Sequence, residues 1–196
     1  MAKILYQGHG SLRLTTDEGT VVYVDPFAGE GYEEPADVIL VSHEHHDHNA
    51  TELVTKKPGC IILRASDLLK DGKYGDRALL DLYIRAVEAY NDHHRKDECV
   101  GFIVETDGKR VYFAGDTSKT DSMAKMKDDF IDYAFLPTDG IYNMGPEEAS
   151  ECAGIICAEH SVPIHMAPGA LFDRALAEKF TGLNRLIVSP GEEILL

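Results

Sequence analysis

The segment His43-Glu44-His45-His46-Asp47-His48 constrains this chain more than any other, because it gathers four of the nine histidines within six residues. It follows Val38-Ile39-Leu40-Val41, an apolar run that reads as a buried strand. A strand ending in His-x-His-x-Asp-His brings imidazole and carboxylate donors to one point. Such titratable groups cannot be buried together cheaply without a counter-charge, so the cluster suits a divalent metal rather than a packing role. The ordered spacing is also far more specific than a merely His-rich loop.

At 196 residues and 44% apolar content, the chain has material for one domain with a full core, taken as residues 1–196. No Pro/Gly-rich linker or repeat divides it. No segment approaches the ~20 apolar residues of a membrane span, and no signal peptide is visible at the start. Cys60, Cys99, Cys152 and Cys157 are scattered without CxxC spacing. They read as free thiols of a reducing compartment, which points to a cytoplasmic protein. The net charge of −15 repels polyphosphate and argues against nucleic acid as the main substrate. Two bound divalent ions would offset about four of those charges.

Strands are expected at Lys3–Gln7, Ser11–Thr15, Thr20–Asp25, Asp37–Ser42 and Cys60–Leu63. Further strands are expected at Ile84–Tyr90, Val100–Thr106, Arg110–Ala114, Tyr133–Leu136, Val162–His165, Leu186–Ser189 and Ile194–Leu196. Turns fall at Asp17-Glu18-Gly19 and Asp107-Gly108. Helices are expected at His48–Lys56, Ser122–Phe130, Pro146–Glu159 and Asp173–Phe180, with helix or loop over 66–83. The third helix is the best marked. Pro146 opens it, Glu147 and Glu148 fill its first turn, and Ala149, Cys152, Ala153 and Ile156 form an apolar face. Early strands followed by strand–helix alternation suggest helices outside stacked sheets.

Two more strands end in single donors. Phe113-Ala114-Gly115-Asp116-Thr117 leaves Asp116 where α/β sites form, with oxygens enough to bridge two cations, although a capping aspartate would look the same. Pro163-Ile164-His165-Met166 ends in a lone histidine, and Ala89-Tyr90-Asn91-Asp92-His93-His94 offers another imidazole.

Taken in order, these donors resemble the metallo-β-lactamase superfamily over nearly the whole chain. The resemblance extends to Gly8-His9-Gly10-Ser11, Val24-Asp25-Pro26, Ile131-Asp132-Tyr133-Ala134-Phe135-Leu136-Pro137 and Met144-Gly145-Pro146-Glu147-Glu148-Ala149. It is nearest to the small metal-dependent hydrolases related to ascorbate-6-phosphate lactonase. It implies an α/β (α+β) fold, a four-layer αββα sandwich of two mixed sheets with a dinuclear site on one edge. It further implies a first metal on His43, His45 and one of the 93–94 pair, a second on Asp47, His48 and His165, and Asp116 between them. His94 is preferred by its spacing to Val100-Gly101-Phe102, His93 is the alternative, and Asn91 stands where many relatives carry the histidine. Zn²⁺ suits these donors, with Mn²⁺ and Fe²⁺ as alternatives.

The implied reaction is hydrolysis of an ester, lactone or phosphoester of a small molecule. Water would be activated between the cations, with Asp47 as a catalytic proton carrier. An iron-dependent oxidoreductase and a non-catalytic metal-binding protein are the competing classes. His46 and Glu44 alternate away from the metals, Asp25 could order a ligand histidine, and His9 would sit near the site mouth. His160 reads as a helix-end residue, and Tyr142 and Asn143 as lining. No membrane partner is implied, and a homo-oligomer stays open.

Overall fold

The computed structural model describes residues 1–196. In chain order the elements are β1 (Lys3–Gly8), β2 (Ser11–Thr15), β3 (Val21–Val24), β4 (Ala36–Val41), β5 (Lys56–Arg64) and α1 (Ala65–Leu68). Next come β6 (Leu69–Lys70), β7 (Lys73–Tyr74), β8 (Asp76–Leu79), β9 (Leu82–Glu88), β10 (Val100–Thr106), β11 (Lys109–Phe113) and α2 (Met123–Met126). The last are β12 (Tyr133–Pro137), α3 (Pro146–Ile156), β13 (His160–Ile164), α4 (Arg174–Ala177) and β14 (Glu193–Leu195).

They build two six-stranded mixed sheets, ordered β14-β1-β2-β3-β4-β5 and β13-β12-β11-β10-β9-β8. Strand alternation explains why the apolar runs are continuous. On β4, Val38 and Leu40 enter the core between the sheets, while Ile39 and Val41 pack on the outer face. On β11 and β12, Val111, Phe113 and Phe135 face the same central core, while Tyr112, Ala134 and Leu136 face the helices. Both faces of these strands are buried, as parallel strands require.

The outer layers differ. On the second sheet α3 presents Ala149, Cys152, Ala153 and Ile156, the apolar face expected from its spacing. On the first sheet the outer layer is irregular chain, with Tyr32 and Val54 closing over Tyr23, Ile39 and Val41.

Several local expectations are corrected. Residues 48–55 form turns and irregular chain, not a helix, and Lys56 already opens β5. Ala50 N–H donates to Pro26 O and Leu53 N–H to Ala50 O, and the segment lacks an apolar stripe that a helix could bury. Residues 66–83 are mainly short strands. Leu186–Ser189 forms no strand: Ser161 makes only an isolated bridge to Arg185, and Leu186 N–H donates to Ser161 O. Helix α3 stops at Ile156 because Cys157 turns left-handed (φ 58°) and its N–H caps Ala153 O. Helix α4 is a single turn, capped where Asp173 accepts from Leu176 N–H. His160 opens β13, with its ring 4.9 Å from that of Tyr133.

Strand direction positions the site. Strands β3 and β4 run parallel, as do β11, β12 and β13. Each pairs through antiparallel neighbours that bring β1 and β9 into the same sense. The carboxyl ends of these strands therefore converge on one edge of the sandwich, where open α/β sites form.

Candidate metal centre

Each strand end on that edge contributes a side chain. The segment after β4 carries His43, His45, Asp47 and His48; the loop after β9 carries His94; and Asp116, Asp139 and His165 follow β11, β12 and β13. Gly115 makes Asp116's position possible. Its φ is +64°, and a Cβ there would lie 2.9 Å from Val100 O and 3.1 Å from Ser42 Cβ.

Two donor groups result. His43, His45 and His94 offer atoms within 4.8 Å of one another, as do His9, Asp47, His48 and His165, and His43, His48 and Asp116 join them. The carboxylate of Asp116 lies between the groups. Its Oδ1 is 3.3 Å from His48 Nε2, and its Oδ2 is 3.3 Å from His94 Nε2 and 3.4 Å from His165 Nε2. All seven metal-site residues expected from the sequence come together, with His94 rather than His93 in the group. His94 is buried beside His43 and His45, whereas His93 is exposed and packs on Tyr142. Asn91 holds the turn instead, its Oδ1 accepting from the backbone N–H of His93 and of His94 and facing His94 Nδ1 at 2.9 Å.

Behind the donors stands a layer of acceptors. Asp25 Oδ2 is 3.0 Å from His48 Nδ1, and its carboxylate also accepts from Ser42 N–H and Ser42 Oγ–H. Ser42 Oγ is 2.9 Å from His43 Nδ1. Asp139 Oδ2 lies 3.1 Å from His165 Nδ1, while its Oδ1 accepts from Ile141, Tyr142 and Asn143 N–H. Tying Nδ1 leaves Nε2 aimed at the centre, the arrangement that orients metal-binding imidazoles.

The fit to divalent cations is tested by what these atoms lack. His43 Nε2, His48 Nε2, His165 Nε2 and Asp116 Oδ1 are buried without a hydrogen-bond partner. Each such group costs about 1–3 kcal/mol unless something satisfies it. Their convergence on shared points, with nitrogen and oxygen donors only, fits divalent cations.

The electrostatics are uneven. Burial would raise the Asp116 carboxyl, but His48 and His165 outweigh it and hold it well below its usual range. Burial, aided by His48, lowers His43 to about 2, and burial also lowers His94. His48 stays well above its ordinary value because Asp116 and Asp25 override burial. For Asp47 too burial is overridden, by the contact with His9 and the charge of His48, so its carboxyl stays low.

His45 is exposed and opens the first group onto a cleft of about 490 Å³ that also includes Glu44, Arg95, Asp97 and Glu98. Asn91, His93, Tyr142 and Asn143 line an adjoining cleft of about 470 Å³. His46 points to solvent and Glu44 pairs with Arg64, as alternation suggests. A 530 Å³ depression around Phe130 contains neither histidine nor cysteine. Asp139 and the inward placement of His9 were missed in the sequence. The one available signal for Asp139 was an Asp-Gly turn directly after an apolar strand.

Comparison with known proteins extends this description. A model described as the β-lactamase superfamily domain matches residues 3–165. A UPF0173 metal-dependent hydrolase from Thermococcus kodakarensis is 30% identical, with 100% of each chain covered. A UPF0173 metal-dependent hydrolase from Thermus thermophilus is 29% identical, again over 100% of each. A crystal structure from Parabacteroides distasonis is 30% identical and superposes with a TM-score of 0.74, covering 95% of this chain and 92% of its own.

Proposed function

The chain belongs to the metallo-β-lactamase superfamily as one of its metal-dependent hydrolases, and we propose that it hydrolyses an ester, lactone or phosphoester of a small molecule at a site whose residues would hold two divalent cations, zinc in the first instance. The observation that carries this reading is the Asp116 carboxylate, set within 3.4 Å of imidazole nitrogens from both donor groups.

His43, His45 and His94 would hold the first ion, Asp47, His48 and His165 the second, and Asp116 would serve both. When bound, such ions supply Lewis acidity and lower the pKa of water toward neutrality. The chain's own residues do the rest. Asp25, Asn91 and Asp139 keep the rings in place. Asp47 is ionised at neutral pH and half-buried at the centre, so it can accept the proton that the attacking water gives up. His45 faces the open cleft, so substrate enters on the first ion's side.

The cleft favours a small substrate over a polyanion. Its acidic residues are Glu44, Asp97 and Glu98, and the guanidinium of Arg95 is already engaged by the last two. With the net charge of −15, this supports a small-molecule substrate and disfavours nucleic acid. No helix is long and apolar enough to cross a membrane. A cytoplasmic location and the absence of a membrane partner belong to the same proposal.

Elemental analysis after reconstitution, together with an ester, lactone and phosphodiester screen with and without chelator, is the test. About two ions per chain and chelator-sensitive hydrolysis are expected. Saturation below one ion with full activity would sink the dinuclear reading. Iron, with an absorbing visible spectrum and no hydrolysis, would move the protein to the oxidoreductase class.

A further inference from the structure

Resting on the dinuclear reading, we infer that His9 is itself a ligand of the second cation, a sixth histidine of the centre supplied by the first hairpin. His9 occupies the turn between β1 and β2 with a side chain that is 0% exposed and a left-handed backbone, φ 55°. A non-glycine residue holds that conformation only when its surroundings enforce it. Here they do. His9 N–H donates to Leu171 O at 2.6 Å, and His9 O accepts from Tyr6 Oη–H at 3.0 Å and from His165 N–H at 2.9 Å. The next residue has no room for a side chain, since a Cβ on Gly10 would lie 3.0 Å from His48 Cε1. The turn is thus pressed against two expected ligands, and the His9 ring lies 3.7 Å, centre to centre, from that of His165.

The ring's hydrogen bonds carry the argument. His9 Nδ1 is 3.1 Å from Ala170 O. A carbonyl oxygen only accepts, so Nδ1 bears a proton and Nε2 is the nitrogen left to face the centre. Nε2 lies 3.2 Å from Asp47 Oδ2, an acceptor. A proton on Nε2 or a metal cation can serve that pair, and the donor atoms gathered around it assign the cation. His48, His94 and His165 repeat the pattern, each with Nδ1 against an oxygen and Nε2 toward the centre. The donor atoms of His9, Asp47, His48 and His165 lie within 4.8 Å of one another, close to the span of donors about 2.0–2.2 Å from one ion.

With Asp116 shared, the second ion gains three imidazoles and two carboxylates, against three imidazoles and one carboxylate for the first. The second ion would then be held inside by more donors, and the side open to substrate would be that of the first group, beside exposed His45.

The full chain labelled with ¹⁵N-histidine and loaded with ¹¹³Cd²⁺ tests this directly, because one-bond cadmium–nitrogen coupling marks only nitrogens bound to metal. Six coupled histidines are expected in the wild type. His9→Asn should remove one and weaken the second cadmium ion at least tenfold in chelator competition. The wild-type count stands on its own if the variant does not fold. Two ions bound with five coupled histidines and His9 uncoupled would overturn this inference alone, leaving His9 as a hydrogen-bond donor to Asp47. Fewer than two ions bound would overturn the dinuclear reading and this inference with it.

Discussion

Metal uptake by the second donor group should release protons at neutral pH, and uptake by the first should not. In the metal-free protein burial works against charge on His165, but Asp116 and Asp139 outweigh it and hold its pKa at about 9. His48 is likewise held well above its ordinary value, by Asp116 and Asp25 against burial. A cation needs the Nε2 lone pair of each. At pH 7 His165 lies about two units below its metal-free pKa of about 9. At 1.36 kcal/mol per unit, displacing that proton costs about 2.7 kcal/mol, roughly a hundredfold in affinity. His43, lowered to about 2 chiefly by burial, has no proton to give, and His94 is lowered in the same way.

The second ion should therefore bind about tenfold tighter per pH unit, per proton displaced, between roughly pH 7 and 9, while the first changes little. The same linkage acts on folding. The raised His165 pKa stabilises the metal-free fold fully below 6.5, and that contribution is lost as pH rises through about 9. Stepwise titration calorimetry at pH 7, in two buffers of different ionisation enthalpy, counts the protons. Close to none is expected with the first ion and about one to two with the second. A second ion bound without proton release, or a first ion that releases them, would refute the electrostatic reasoning.

Four substitutions extend the same picture. Asp116→Asn keeps the shape but loses the charge between the ions, so hydrolysis should fall about a hundredfold or more while the fold survives; a thermal melt, a metal count and a rate on one preparation decide it, and normal turnover with two ions bound would reduce Asp116 to a turn residue. His94→Ala should lose more metal than His93→Ala, measured by elemental analysis after dialysis, and the reverse order would mean the wrong imidazole was chosen. Asp139→Asn sets an amide where His165 Nδ1 and Asn143 Nδ2 now meet a carboxylate, so affinity for the second ion should drop about 10–100-fold with the first unaffected. Chelator competition reads the difference, and equal affinities would show that packing alone holds His165.

Much of the centre was legible because its donors are coded locally. His43, His45, Asp47 and His48 share one turn, and Asp116 and His165 each follow an apolar strand, so short-range pattern reveals them. The preference for His94 over His93 also rested on spacing to the next strand, and burial agrees with it. The false helix over 48–56 shows where local reading fails. A short helix was expected after the histidine cluster, but the segment folds back onto Pro26, a contact that sequence pattern does not encode.

The sequence by itself therefore pointed, through its resemblance, to the family and the sandwich of two sheets, and it marked seven candidate donors, because apolar strand ends and ordered metal spacing are short-range properties of the chain. Only the tertiary structure decided what stands around them. His9 meets Asp47 across 38 positions and Ala170 across 161, and Asp139 reaches His165 only because β12 and β13 run side by side. The outer cover of the first sheet is likewise irregular chain held over Tyr23 and Ile39. Such contacts depend on which strand ends are brought to one edge, and strand order and direction are set by packing of the whole chain rather than by any segment of it.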